Sequence, residues 1–305
     1  MNLKGWTAFT ALGLIWGSSF LWIKIAVQEV SPYLLVSTRL AFGLLGLLVV
    51  MVASRASLPR QPGILAAYLF MGVFNTALPF TLISWGETRI DSALAAILDG
   101  SVPLFTILIA HLWLHDEKIS LPRIVGLAVG FVGVVVLVSR DLGPGALLGD
   151  VWGQAAVLLA SICYALSATF ARRHLQARRP LEQAIMIVLF AETLMWPLTL
   201  SLEPLRLPRL PLTWIALAWL GILGSCLAYL LYFYLIRNFG ATRATLVAYL
   251  FPLIGLLLGI VFLDESADWR LMVGSALVLA GIVIVNQRQM PRVSPAPASL
   301  ARRGE

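Results

Sequence analysis

Residues 72–117 read GVFNTALPFTLISWGETRIDSALAAILDGSVPLFTILIAHLWLHDE, and residues 221–265 read GILGSCLAYLLYFYLIRNFGATRATLVAYLFPLIGLLLGIVFLDE. Laid over one another at a shift of about 148 residues, they place Pro103 on Pro252. Asp116-Glu117 falls on Asp264-Glu265 with a one-residue slip. The match runs on into IVGLAVGFVGVVVLV (124–138) and MVGSALVLAGIVIVN (272–286), where Gly126 meets Gly274 and Gly133 meets Gly281. Upstream, Trp16-Gly17 falls on Tyr164-Ala165 and Lys24 on Arg172. One proline match means little, but several features at nearly one shift mark an internal repeat.

Both copies are too apolar for a soluble core. The chain has 305 residues, 60% hydrophobic and 12% charged, with a mean hydropathy of +0.90. A soluble domain is roughly half apolar and about a quarter charged. A bilayer span needs about 20 mostly apolar residues. The sequence predicts spans at 5–26, 33–53, 63–86, 92–113, 121–139, 152–172, 181–201, 212–236, 241–263 and 270–287. Proline, glycine or charge punctuates every break. The start of the chain reads as an uncleaved first helix, because its long apolar run holds Trp16, Phe20 and Trp22 and offers no small-residue cleavage site.

The formal charge of +7 sits between the apolar runs and in the tail. It reads as loop charge that orients a membrane protein, not as a nucleic-acid footprint. With both termini in the cytoplasm, fifteen lysines and arginines fall on the cytoplasmic side and six on the other, with Arg39 inside a span. That bias sets the expected orientation, and the expected location is a bacterial inner membrane. The expected units are a first five-helix repeat over 1–145, a second over 146–287, and a disordered cytoplasmic tail over 288–305. Because five is odd, the second repeat enters the membrane from the opposite side. The fold class expected is therefore an all-α membrane protein of ten transmembrane helices in two inverted repeats, an arrangement common in secondary transporters.

The two helix ends of the form proline, about thirteen residues, acidic pair, each followed by a Gly-rich helix, resemble the drug/metabolite transporter superfamily, specifically its EamA type. The opening LIWGSSFLWIK (14–24) and STRLAFGLL (37–45) are similar to that family's first two helices. The resemblance covers about residues 5–287. It implies ten helices in an inverted repeat, no covalent cofactor, and export of small metabolites. One departure is that Ile187 stands in the second half where Arg39 stands in the first, so any role of Arg39 is not duplicated.

Polar groups within the bilayer are costly and are functional candidates by default. Arg39 and Asp99 are expected roughly 10 Å deep from the outer side, at equal height and of opposite charge, so a structural ion pair between them is expected. Asp99 is equally a candidate for substrate contact, and Asn75 joins it. Glu192, near the middle of the seventh span, is a candidate carrier of a coupling proton. Trp16, Trp85, Tyr164, Tyr229 and Tyr249 are candidate cavity walls, with Ser19 and Ser167 as hydroxyl sources. Pro103 and Pro252 are candidate paired hinges, since proline frees a carbonyl and weakens a helix locally. Gly126, Gly130, Gly133, Gly255 and Gly259 read as packing contacts. Cys163 and Cys226, both inside apolar runs, read as packing residues.

There is no G-x-x-x-x-G-K-[ST] phosphate loop. His111, His115 and His174 have no metal spacing, and no catalytic grouping can be argued. No metal, cofactor or catalytic residue is expected, and the chain is read as not an enzyme. The function expected is export of amino acids or similar small metabolites by alternating access. The alternatives are an uptake carrier for nucleoside- or sugar-like solutes and a membrane-embedded enzyme. The expected partners are a small-molecule substrate and the lipid bilayer, with protons as a candidate coupling ion and no nucleic acid.

Overall fold

The computed structural model describes residues 3–113, 121–139, 148–239 and 246–286. The loop charges expected at 115–118 and 140–147, the Asp116-Glu117 side of the repeat match and the tail 288–305 lie outside them. No strand occurs among the described residues. Eight helices are long and apolar enough to cross a membrane: α1 Leu3–Ala26, α2 Pro32–Ser54, α3 Pro62–Glu87, α4 Ser92–Trp113, α5 Leu121–Val138, α6 Asp150–His174, α7 Pro180–Leu202 and α8 Pro211–Tyr232. Two shorter apolar helices follow, α9 Val247–Leu263 and α10 Trp269–Val285. The first residues of the expected ninth span, 241–245, are not among those described.

Local chemistry explains the ends. Helices α2, α3, α7 and α8 each begin on a proline, whose missing N–H would find no helical acceptor there anyway. Ser31 caps α2 by accepting from the Leu34 N–H at 3.1 Å. Leu45, Val49 and Val52 on α2, Val132 and Val135 on α5, and Leu253, Leu257 and Val261 on α9 are all exposed. Spaced three or four apart, they form outward apolar stripes. Such stripes are a liability in water and at home against acyl chains.

The helices pair in a regular way. Helix α5 packs along α10, α4 along α9, and α2 along α7; α2 also meets α8, and α3 meets both α6 and α7. Helix α6 meets α4, and α1 lies against α8 and α9. The α5–α10 contact is backbone on backbone. A methyl on Gly126 would sit 2.7 Å from the Gly281 carbonyl oxygen, and one on Gly133 would sit 2.7 Å from the Val278 nitrogen. Only glycine allows that approach.

Among the described residues, five helices depart from α geometry. Residues Gly72–Ala77 of α3 and Trp219–Leu227 of α8 are π-helical, with the Leu78 N–H reaching the Val73 carbonyl and the Ala228 N–H reaching the Leu223 carbonyl. At the repeat shift these segments overlie one another. Helix α4 breaks at Gly100-Ser101, just before Pro103, and α9 opens with a 3-10 turn, Leu246–Tyr249, just before Pro252. Helix α1 is interrupted at Ser18.

Candidate functional site

Each of the two π segments carries polar groups that bond to neighbouring helices. In α3, the Asn75 amide donates to the Tyr229 hydroxyl at 3.3 Å, and the Asn75 carbonyl accepts from Ser167 of α6 at 3.0 Å. In α8, Ser225 accepts from Arg39 Nε of α2 at 3.1 Å. Beside it, the Gly224 carbonyl accepts from Trp16 Nε1 of α1 at 3.0 Å. The wider π turn offsets successive side chains and carbonyls from the α spiral, and such turns recur at functional sites. Around Trp16 stand Tyr229 at 6.2 Å, Tyr232 at 5.4 Å and Phe251 at 5.9 Å between ring centroids. Edge and tilted arrangements of this kind are the favoured ones.

Trp16, Asn75, Tyr164, Ser167 and Tyr229 are thus gathered from four helices, with Tyr164 held within electrostatic range of Arg39, Asp99 and Tyr229. Ser19 is buried beside Gly224, and its hydroxyl donates to the Ile15 carbonyl of its own helix. Two expected members lie elsewhere. Trp85 lines a lateral groove of about 530 Å³ with Tyr33, Thr81, Met195 and Leu198, and the Arg89 guanidinium stacks 3.6 Å over its ring. Tyr249 donates to the Ile282 carbonyl of α10 at 3.3 Å.

The ion pair expected between Arg39 and Asp99 is not formed; no nitrogen–oxygen contact within 4.0 Å joins them. Arg39, only 4% exposed, lies 3.8 Å above the Phe80 ring, a favourable seat for a guanidinium. The carboxylate in its electrostatic range is Glu87. Asp99, 8% exposed, takes one long hydrogen bond, from Ser161 at 3.4 Å. Equal depth was a sound reading of height, but height says nothing of the direction in which each side chain leaves its helix. Glu192 of α7 accepts from Trp196 Nε1 at 2.6 Å, and its second oxygen is buried without a partner.

Sequence reasoning passed over Glu87, which looks like the start of a loop. It is the last residue of α3, fully buried, and neither carboxylate oxygen accepts a hydrogen bond. Lys24 stands near it but donates to the Glu87 and Ile90 carbonyls, both at 2.8 Å. At the same end of the bundle, Glu265 accepts from the Ser92 and Ala93 N–H groups that open α4, at 2.7 and 2.9 Å. Glu29 there holds the start of α8, accepting from the Arg209 N–H at 2.5 Å, the Leu210 N–H at 3.1 Å and the Thr213 hydroxyl at 2.5 Å. These bonds, led by Thr213, hold its carboxyl below the usual range. Ser31 donates to Glu203 at this end as well. At the opposite end, Tyr68 donates to Glu182 at 2.8 Å.

Comparison with known proteins follows the same division. A family model described as the EamA-like transporter family matches twice, over residues 3–139 and 151–287. The chain is 25% identical over 289 residues to an uncharacterized transporter of Archaeoglobus fulgidus, covering 94% of this chain and 100% of that one. It is 29% identical over 282 residues to the uncharacterized inner membrane transporter YedA of Escherichia coli, covering 91% and 89%. A probable terminal-alkyne amino-acid exporter of Streptantibioticus cattleyicolor is 28% identical over 219 residues, 69% of each chain. A crystal structure with 20% sequence identity superimposes with a TM-score of 0.67, over 93% of this chain and 96% of that one, and so shares the fold.

Proposed function

The chain belongs to the EamA-like transporter family, and from that premise we propose that it is a secondary transporter exporting amino acids or similar small metabolites by alternating access. What carries this reading is the packing. Exchange the first five helices for the last five, and the α3–α6 contact becomes α8–α1, α2–α8 becomes α7–α3, and α4–α6 becomes α9–α1. The pairs α5–α10, α4–α9 and α2–α7 map onto themselves. A bundle whose main contacts are kept by that exchange has two related closed arrangements, each opening toward one face. Two inverted five-helix repeats, with cytoplasmic termini at an inner membrane, supply that exchange. The double family match, the overlying π segments and the twin irregularities before Pro103 and Pro252 support the same repeat, and in this reading those prolines act as paired hinges.

The substrate site is the central cluster of Trp16, Asn75, Tyr164, Ser167 and Tyr229, flanked by Arg39 and Asp99. Both halves contribute to it, as a site served by gates on either side requires. Naming an exporter of amino-acid-like solutes draws support from the Streptantibioticus relative. The test is purified protein in liposomes, screened for counterflow with labelled metabolites. Accelerated exchange of an amino acid supports the reading. Exchange of only nucleosides or sugars moves the substrate class to those solutes, and no exchange of any solute removes carrier function.

A further inference from the structure

Arg39 and Asp99 present a puzzle that the fold does not solve. Each is a charged side chain more than nine-tenths buried, on helices α2 and α4 of the same half. A buried charge is ordinarily paired, because removal from water disfavours it unless an opposite charge or several hydrogen bonds compensate. Neither has that compensation. Arg39 uses Nε toward Ser225 and lays its plane over Phe80, while no hydrogen bond reaches its two terminal nitrogens. Asp99 has one long contact, with Ser161 Oγ. Neither the terminal nitrogens of Arg39 nor the carboxylate oxygens of Asp99 are among the sealed, unpartnered atoms of the core, so both groups border accessible space. Tyr164 lies within electrostatic range of both charges.

We propose that Arg39 and Asp99 are the two poles of a zwitterion site: Arg39 takes the carboxylate of an α-amino acid through its free terminal nitrogens, and Asp99 takes the ammonium group. The proposal rests on the transporter reading above and deepens it. A guanidinium offers a carboxylate two parallel donors in one plane, and here the edge away from Nε is the unused one. The ammonium supplies the donors that Asp99 lacks. The pair left open in the empty site is thus closed by the substrate, and neither pole is satisfied by a solute carrying one charge. The remaining wall is aromatic, with Tyr229, Tyr232 and Phe251 each against Trp16, which suits an apolar side chain. The other charged groups in range, Lys24, Glu87 and Glu265, are gathered around the end of α3; the Lys24 and Glu265 side chains bond backbone groups there.

The probes are L-leucine and its two half-molecules, 3-methylbutylamine, which lacks the carboxylate, and 4-methylpentanoate, which lacks the ammonium. Binding to the purified full chain is read by ligand-dependent shift of its thermal transition, and transport by counterflow in liposomes. The wild type is expected to bind L-leucine at least tenfold more tightly than either half-molecule. In Arg39→Gln, L-leucine and 3-methylbutylamine should become equivalent; in Asp99→Asn, L-leucine and 4-methylpentanoate should. Equal binding of all three by the wild type overturns the proposal without any variant, so a variant that fails to fold does not shield it. Counterflow of other metabolites with none of L-leucine or other zwitterions overturns the zwitterion site while leaving carrier function standing. No counterflow of any solute fails the transporter reading instead.

Discussion

Trp16 shows how a single side chain joins two halves of the chain. Its ring contacts Tyr229, Tyr232 and Phe251 of the second half, and its Nε1 reaches the π segment of α8. Aromatic pairs contribute about 0.5–1.5 kcal/mol each beyond area burial, so the position is also structural. Trp16→Ala and Tyr164→Ala are expected to lower transport tenfold or more while membrane abundance stays within about twofold, a difference of roughly 1.4 kcal/mol at the site. Trp16→Phe, which keeps a ring and loses only the donor to Gly224, should fall between. Wild-type rates for both alanine variants on every tested metabolite would take these rings out of the site. Arg39 and Asp99 were legible because charges inside apolar runs are rare. Their separation was not, since sequence gives depth along a helix but not the rotation of one helix against another. Glu87 escaped notice because Thr88, Arg89 and Asp91 beside it look like a loop, yet it closes the last turn of α3 under full burial. Trp85, near the same end of α3, leaves by the opposite side into the lateral groove.

At the scale of elements, the glycine stripes were plain in the sequence and the π segments were not. Gly126, Gly133, Gly274 and Gly281 recur at one shift because two backbones must touch. A β-carbon on Gly281 would lie 2.5 Å from the Gly130 nitrogen and 2.6 Å from the Gly126 carbonyl oxygen. Backbone cannot yield as a side chain can, and overpacking costs about 1–3 kcal/mol. Gly281→Ala should lower the thermal midpoint by roughly 4 °C or more, while Gly63→Ala, where nothing lies within 4 Å of an added methyl, should leave it unmoved. A π turn needs only one residue more than an α turn, and no residue type announces it. Pro79 is a partial signal: it lacks the N–H that would close an α turn onto Asn75. The start of α8 depends on a residue far away in sequence, Glu29, whose carboxylate gathers two N–H groups and the Thr213 hydroxyl. Its lowered pKa fixes the sign of a pH effect. The stabilisation is present above the ordinary glutamate value of about 4.3 and is lost as pH falls through the lower folded value. Glu29→Gln should therefore melt below the wild type at pH 7, and the two curves should converge on acidification below about pH 4. A gap between them that is constant with pH would show that the carboxylate's charge is not what holds α8.

For the whole molecule, the order of helices and their repeat could be read from hydropathy and punctuation, because a bilayer admits few backbone solutions. Orientation is a subtler property, carried by the loops. The bundle has two chemically different ends. One gathers Lys24, Glu29, Glu87, Glu203 and Glu265, with bonds that cross between the halves from Glu29 to Thr213, from Ser31 to Glu203 and from Glu265 to Ser92. The other holds Arg178 beside Glu182, with Gln61 and Tyr68 reaching across. From the positive-inside bias, the acidic end is expected outside and the arginine-bearing end in the cytoplasm. Cysteine labelling tests this directly, since the native Cys163 and Cys226 are buried and give little background. Gln28 and Ser57 are exposed at opposite ends. In intact cells a membrane-impermeant maleimide is expected to label Gln28→Cys and to spare Ser57→Cys until the membrane is permeabilised. The reverse pattern would turn the molecule over and put both termini outside.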